Sequence, residues 1–517
     1  AAAAAAAAAA VAVPSSSPMG NGTAPTPAVR PDITTFDWLA WLVFALFLVL
    51  IVAFCTVLVR YYTDRHEGEW LPFCVTVAAL SVSLIALFLV PIDVYLAPNY
   101  ARAPANAYAV EYTYYALYVV ILVLSCFVMP FAYFYYEEDD VDVTWRQRAW
   151  AGVKYTSFLA VILFVLFITG ALLGNATADD FAELPADVKA ALGAVFRREP
   201  LRSSVGFAVS CAVLVGYVCA CTYGAYGLVA WPLGLLRAAP KRAEEASAIN
   251  RNLASTRDKK RAIMGKYVSG KRMSKRDEAQ LALLRRQERV LSRQSDALDE
   301  RRAGGVCARA AHVLRPFSFV FGVLFAVLSL LFALALLMTQ VDVTAHSCGA
   351  PCAYLLAAPW PYNPLDTMLR NTAPFFPVDL VLFTVVIVYV FGATLAGVTK
   401  IGIRVLWIEL FRVRARATAP QALMLGAVVQ MLSLLTLNVQ LLTVAPQYAT
   451  FGGQTRDGTE PCDYATAAAA GCSLTKLATI MQSVRLNMPF FAVAFYWLTW
   501  AYLAMIPLML VVAVAVR

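Results

Sequence analysis

Charge is scarce in this 517-residue chain, and histidine is scarcer. Lys, Arg, Asp and Glu together make 15% of it, against about a quarter in soluble domains. With 61% hydrophobic residues and a mean hydropathy of +0.66, that deficit excludes a water-soluble globular domain. The three histidines, His66, His312 and His346, stand far apart, and no spacing suggests a structural metal site. No GxxxxGK followed by Ser or Thr, no HExxH and no GxSxG occurs. These absences remove a P-loop, a zinc-peptidase helix and a hydrolase elbow, and the chain is expected not to be an enzyme. No repeat relates the two halves, as it does in many secondary transporters. The net charge of +9 needs no nucleic acid to explain it, because the excess sits in one stretch.

What is abundant is long apolar sequence. Runs long enough to cross about 30 Å of hydrocarbon predict an integral membrane protein. Nine spans are expected, at about 37–59, 71–97, 108–136, 151–174, 203–236, 316–340, 377–399, 418–446 and 487–516. The fold class is all-α and polytopic, five spans then four. Trp and Tyr gather at the span ends (Trp38, Trp70, Tyr136, Trp145), as interfacial anchors do. Residues 1–36, with ten alanines and a Pro/Ser/Thr-rich run, read as a disordered segment. Spans one to five occupy 37–236, a basic insert 237–315, and spans six to nine 316–517.

The insert carries 21 Lys or Arg against nine Asp or Glu, a net of +12, so the rest of the chain sums to −3. Its Ala, Arg, Lys, Glu and Leu favour helix. Gly265 and Gly270 break it near the middle, and Ser274–Asp277 has the form of a capping box. A cytosolic helical hairpin is expected. Its charge either fixes topology as a solvated face or meets anionic lipid or a partner. With the N-terminus outside the cytosol, non-cytosolic loops hold ten Lys or Arg and the cytosolic side 32, as cytosolic loops require. The start of the chain is then lumenal and its end cytosolic. That placement puts the glycosylation patterns at Asn21 and Asn175 outside, with Cys348, Cys352, Cys462 and Cys472. The four cysteines could bridge within or between the two loops, or stay free. A second basic strip, Lys400 to Arg416, is expected either as a short interfacial helix or as span seven running on into the cytosol.

Ionisable groups inside apolar runs are costly and mark sites. The candidates are Asp93, beside Pro91; Glu111, ahead of a tyrosine cluster; and Asp379, after Pro377. All three lie near the outer ends of spans. They either line a lumen-facing vestibule or sit at the water interface, where Glu111 and Asp379 would stabilise a helix N-terminus. The acidic run Glu137–Asp140 reads as a solvated loop or a partner of the basic hairpin.

Several stretches occur in order: LVPIDVYL at 89–96, YTYYALY at 112–118, PFAYFYYEE at 130–138, YGAYG at 223–227, IGI at 401–403 with Trp407, PQAL at 420–423 and APQY at 445–448. Together they resemble the limb-region/lipocalin-receptor-like membrane proteins, from about residue 37 onward. The resemblance implies nine spans, a lumenal N-terminus and a lysosomal membrane location. It implies an accessory role in moving cobalamin from lysosome to cytosol, with an ABC transporter of the D subfamily as partner. The alternative it implies is a lipocalin receptor or endocytic adaptor scaffold. Other partners expected are membrane lipid and a second copy of the chain as a homodimer, with no nucleic acid. No cofactor of its own is expected; cobalamin would be the transported ligand.

Overall fold

Backbone amides and carbonyls cannot find water in hydrocarbon, so each apolar run must close its own hydrogen bonds as helix. In the computed structural model the described residues are 37–63, 70–137, 145–176, 200–265, 318–346, 362–405, 408–411, 413, 418–456, 460–462, 467 and 471–515, with Leu281, Leu284 and Glu288. Among them are nine helices long and apolar enough to span a bilayer. They are Trp38–Tyr62, Trp70–Asn99, Pro104–Glu137, Trp145–Gly170, Arg202–Arg237, Ser318–Ala345, Val378–Ile401, Pro420–Val444 and Pro489–Ala515. They coincide with the nine expected runs. The third and fifth each contain a wide π-helical turn, at Leu124–Val128 and Ala220–Gly224.

The eighth span is the axis of the bundle. It packs against the second, fifth, sixth and seventh and the end of the third. Its interior positions include Gln430, Ser433, Thr436, Asn438, Gln440 and Thr443, all buried. Three of these hydroxyls fold back on their own helix: Ser433 to Val429 O, Thr436 to Leu432 O and Thr443 to Val439 O. Such back-bonding lets polar side chains sit in an apolar bundle. The first, fourth, sixth and ninth spans are the least buried, and apolar residues such as Leu46, Phe164, Leu330 and Trp497 face outward from them.

Spans five and seven cross so closely that only glycine fits. A Cβ at Gly227 would lie 1.8 Å from Ala393 O, and one at Gly397 would lie 1.9 Å from Tyr223 O. The two glycines thus admit each other's backbone reciprocally, as small residues do in membrane helix pairs.

Past the fifth span the chain stays helical. The helix Ala225–Gly265 continues it into the basic insert, and the described stretch runs as far as Gly265. The leading arm of the insert is therefore an extension of a span. Glu288 lies beside it, accepting from Lys260 at 2.8 Å and Arg257 at 3.3 Å. The remainder of 266–317 lies outside the described residues, as do Glu138–Asp140, Asn21, Cys348, Cys352 and the side chain of Asn175.

The strip 400–416 corrects the sequence expectation. Over its described residues it is neither an interfacial helix nor an extension of span seven. Gly402, at φ 75°, closes the helix, and an antiparallel pair follows, β1 (Ile403–Val405) and β2 (Ile408–Phe411). The reason lies in composition: Ile403, Val405, Ile408 and Phe411 are β-branched or aromatic, types that favour strand once a helix has been ended. Tyr223 fixes β1 to the fifth span. Its hydroxyl accepts from Arg404 N at 3.1 Å and donates to Arg404 O at 3.3 Å.

The opposite face, where the first span begins, carries three short helices, Pro364–Thr372, Pro446–Phe451 and Lys476–Asn487. A small strand pair, β3 (Thr455–Arg456) and β4 (Glu460–Pro461), lies there too. Cys462 and Cys472 are disulfide-bonded. Cys55, Cys74, Cys126, Cys211, Cys219 and Cys221 are free thiols.

Candidate functional site

The three carboxylates singled out in the sequence all lie on this N-terminal face, and each has partners. Asp93, fully buried near the end of the second span, faces the start of helix Lys476–Asn487. It accepts from Lys476 N at 2.9 Å, Leu477 N at 2.8 Å and the Tyr100 hydroxyl at 2.6 Å. The first turn of a helix has amides without intrahelical acceptors and carries partial positive charge, so a carboxylate is favoured there. Thr475, the N-cap, accepts from Ala478 N and donates to Ala449 O, completing that end. Burial, then the adjacent Asp93 charge, holds the Tyr100 phenol well above its ordinary range.

Glu111 is bridged by two cations. Arg202 of the fifth span reaches one carboxylate oxygen at 2.5 Å, and Lys476 Nζ reaches the other at 3.1 Å. The Arg202 guanidinium also lies over the rings of Tyr112 and Tyr115, and the Lys476 ammonium over Tyr100. Lys476 is thus shared. Its backbone caps onto Asp93, and its side chain joins Glu111. Lys476 thus ties helix Lys476–Asn487 to the second and third spans, and Glu111 carries the link on to Arg202 of the fifth.

Asp379 accepts from the Tyr448 hydroxyl at 2.9 Å. Tyr448 N in turn donates to the buried Asp366 at 2.9 Å, at the start of helix Pro446–Phe451. Burial pushes the Asp366 carboxyl up to about 6, although the Tyr448 amide and Arg370 pull the other way. Asn363 closes the cluster. Its oxygen caps Leu365 and Asp366, and its amide nitrogen donates to Ala335 O, Thr339 Oγ1 and Val444 O.

The sequence analysis missed Asp366, Asn363, Tyr100, Arg202 and Lys476. Asn363 could have been found, since Asn followed by Pro is an N-cap signal. Lys476 could not, because its partners are 365 and 383 positions away. The arrangement holds helices together by charge and capping. Among the described residues no three His, Cys, Asp or Glu side chains converge as a metal site requires.

The family model for LMBR1-like membrane proteins matches residues 40–304. The chain is 33% identical to the "Probable lysosomal cobalamin transporter" of Dictyostelium discoideum, over 92% of this chain and 95% of that one. The chain belongs to the LMBR1-like membrane protein family. It is also 30% identical to a "Probable lysosomal cobalamin transporter" of Nematostella vectensis, over 90% of this chain and 91% of that one. It is 29% identical to the mouse "Lysosomal cobalamin transport escort protein LMBD1", over 92% of this chain and 93% of that one. No solved structure matches the chain. In this LMBR1-like chain the family match spans the first five spans and most of the basic insert, so Asp93, Glu111 and Arg202 lie inside it and Lys476 outside.

Proposed function

We propose that this protein is a lysosomal multi-pass membrane escort for export of cobalamin from lysosome to cytosol, acting with an ABC transporter of the D subfamily. The similarity to proteins named for lysosomal cobalamin transport, over nine-tenths of the chain, carries the reading. The N-terminus is lumenal and the C-terminus cytosolic in this proposal. The 32-to-10 division of Lys and Arg supports that orientation, as does the disulfide Cys462–Cys472 on the N-terminal face, since disulfides persist in oxidising compartments. The basic hairpin would then face the cytosol and meet the partner or anionic lipid.

A second reading is a lipocalin receptor or endocytic adaptor scaffold. The disulfide-closed segment on the N-terminal face favours it as a surface for a lumenal protein. The deciding experiment deletes the gene and follows labelled cobalamin. Cobalamin trapped in lysosomes and released on re-expression supports escort. Normal release with lost uptake of a protein ligand overturns escort and supports the receptor.

A further inference from the structure

The long helix Ala225–Gly265 leaves the bundle at Arg237, whose guanidinium donates to Ala513 O at 3.2 Å. The fifth and ninth spans both end at this level, which marks the edge of the hydrocarbon. Beyond it the helix runs on, and at 1.5 Å per residue Lys259 stands about 33 Å further along the axis. A headgroup layer is about 5–8 Å deep on each side, and charge is screened over about 8 Å at physiological salt. Inclined at about 40°, the upper end for membrane spans, the helix would still lift Lys259 about 25 Å above that edge. The cations at the far end of this arm therefore stand out of reach of lipid phosphate.

The arm has a covered side and an open one. Thr256 is buried and Leu253, Lys260 and Ile263 are half-buried, spaced as one helix face. Glu288, from later in the insert, meets this side through Lys260 and Arg257. Arg251, Arg257, Lys259 and Arg261 are exposed, and the acid described among them is Asp258, 4.0 Å from Arg261. An exposed pair at that distance contributes little. Arg257 and Arg261 lie four apart, and like charges so placed repel across one turn. Ala254, Ser255 and Ala262 lie between the cations, and residues 251–265 hold no aromatic ring on which a nucleic-acid base could stack.

We propose that the open side of this arm docks an acidic segment of another protein, its Asp and Glu carboxylates set against Arg251, Lys259 and Arg261. Such a segment supplies the opposite charge that the bilayer is too distant to supply. The arm clears the headgroups whichever side it faces; that the partner is cytosolic rests on the orientation proposed above.

The test uses the full-length protein in phosphatidylcholine nanodiscs at physiological salt, with a fluorescent Glu-rich peptide as the probe. Saturable binding that weakens as salt rises is expected. Arg251→Gln, Lys259→Gln and Arg261→Gln together should weaken it about tenfold, within the summed range of three exposed ion pairs. Glutamine keeps helix propensity, so the arm stays folded, and size exclusion checks this. Arg60→Gln with Arg404→Gln, exposed cations at the ends of spans, should leave binding unchanged. A p-benzoylphenylalanine in place of Ala262 should crosslink the peptide and not phosphatidylserine added to the disc. Absent binding, a triple variant that binds as wild type, or crosslinking to phosphatidylserine overturns the site. Displacement by single-stranded RNA at lower concentration than by unlabelled peptide overturns the acidic-protein assignment. These readouts do not involve cobalamin release, so the site can fail while the escort reading stands.

Discussion

Replacing Asp93 by alanine removes the acceptor for three donors at once: two first-turn amides, Lys476 N and Leu477 N, and the Tyr100 phenol. All lie within a buried junction, so no water replaces the lost oxygen. Stranding one buried donor costs about 1–3 kcal/mol. Part is offset, because the mutant no longer buries a carboxylate. The expected net loss is about 3 kcal/mol, localised on helix Lys476–Asn487. Asp93→Asn keeps the size and turns an amide NH2 toward one of the donors, so it should recover less than half. The assay is the thermal midpoint of detergent-solubilised protein, followed by size exclusion, with amide hydrogen exchange to locate the change. A fall of roughly 5 °C is expected, with faster exchange at Lys476–Ala478. Glu137→Ala, at an exposed position ending the third span, is the control and should stay within ~0.5 kcal/mol of wild type. If Asp93→Ala keeps both the midpoint and the exchange protection of that first turn, the capping argument is wrong.

Gly227→Val or Gly397→Val should prevent close approach of spans five and seven, because each added Cβ would fall under 2 Å from a backbone carbonyl; monodisperse protein on size exclusion from either variant would contradict this. The bond Cys462–Cys472 closes a loop of 10 positions, worth about 3 kcal/mol in chain entropy. Non-reducing peptide mapping should find it, and the double serine variant should unfold earlier. Asp366 gives a pH dependence of definite sign. Its folded carboxyl titrates near 6 and its unfolded one near 3.8, so between those values the folded state holds the extra proton. Stability must therefore fall as pH rises from about 4 to about 6, by an amount of order 3 kcal/mol. Asp366→Asn should flatten that slope, and an unchanged slope would show that another group sets it.

Local sequence carried the spans well because hydrophobic length is a local property. Trp70 and Glu137 bound helices that the apolar runs at 71–97 and 108–136 already delimit. The strip after Lys400 was misread because its alternation of Arg with large apolar residues also suits an interfacial helix. Only Gly402 in a left-handed conformation separates the two outcomes, and a glycine by itself does not reveal its φ. The position of Asp93 at a costly depth was legible. Its meaning was not, since Lys476 and Leu477 arrive from the far end of the chain. Asp366 escaped because it lies in a polar loop, where an acidic residue is unremarked until the loop folds over it.

The disposition of polar groups bears on whether this molecule moves cargo by itself. An autonomous transporter needs ionisable or unsatisfied groups facing a route through its middle. Here Asp93, Glu111, Asp366 and Asp379 are gathered at one face, and each accepts from a helix start, a cation or a phenol. Three hydroxyls of the axis helix turn back on their own backbone, while Gln430 Oε1, Asn438 Oδ1 and Gln440 Nε2 are buried on it without a partner among the described residues. Such an arrangement spends its charge on fixing the short helices of the N-terminal face against the bundle. A face braced by charge and capping, with the Cys462–Cys472 bond on it, suits presenting a surface to another protein. The charged groups are thus spent on bracing that face. This bracing predicts that Glu111→Gln, which removes the charge joining Arg202 and Lys476, loosens the N-terminal face and weakens association with a transporter before it alters any step of translocation. Retained co-purification of the transporter, with slowed cobalamin release in the same cells, would turn that order around.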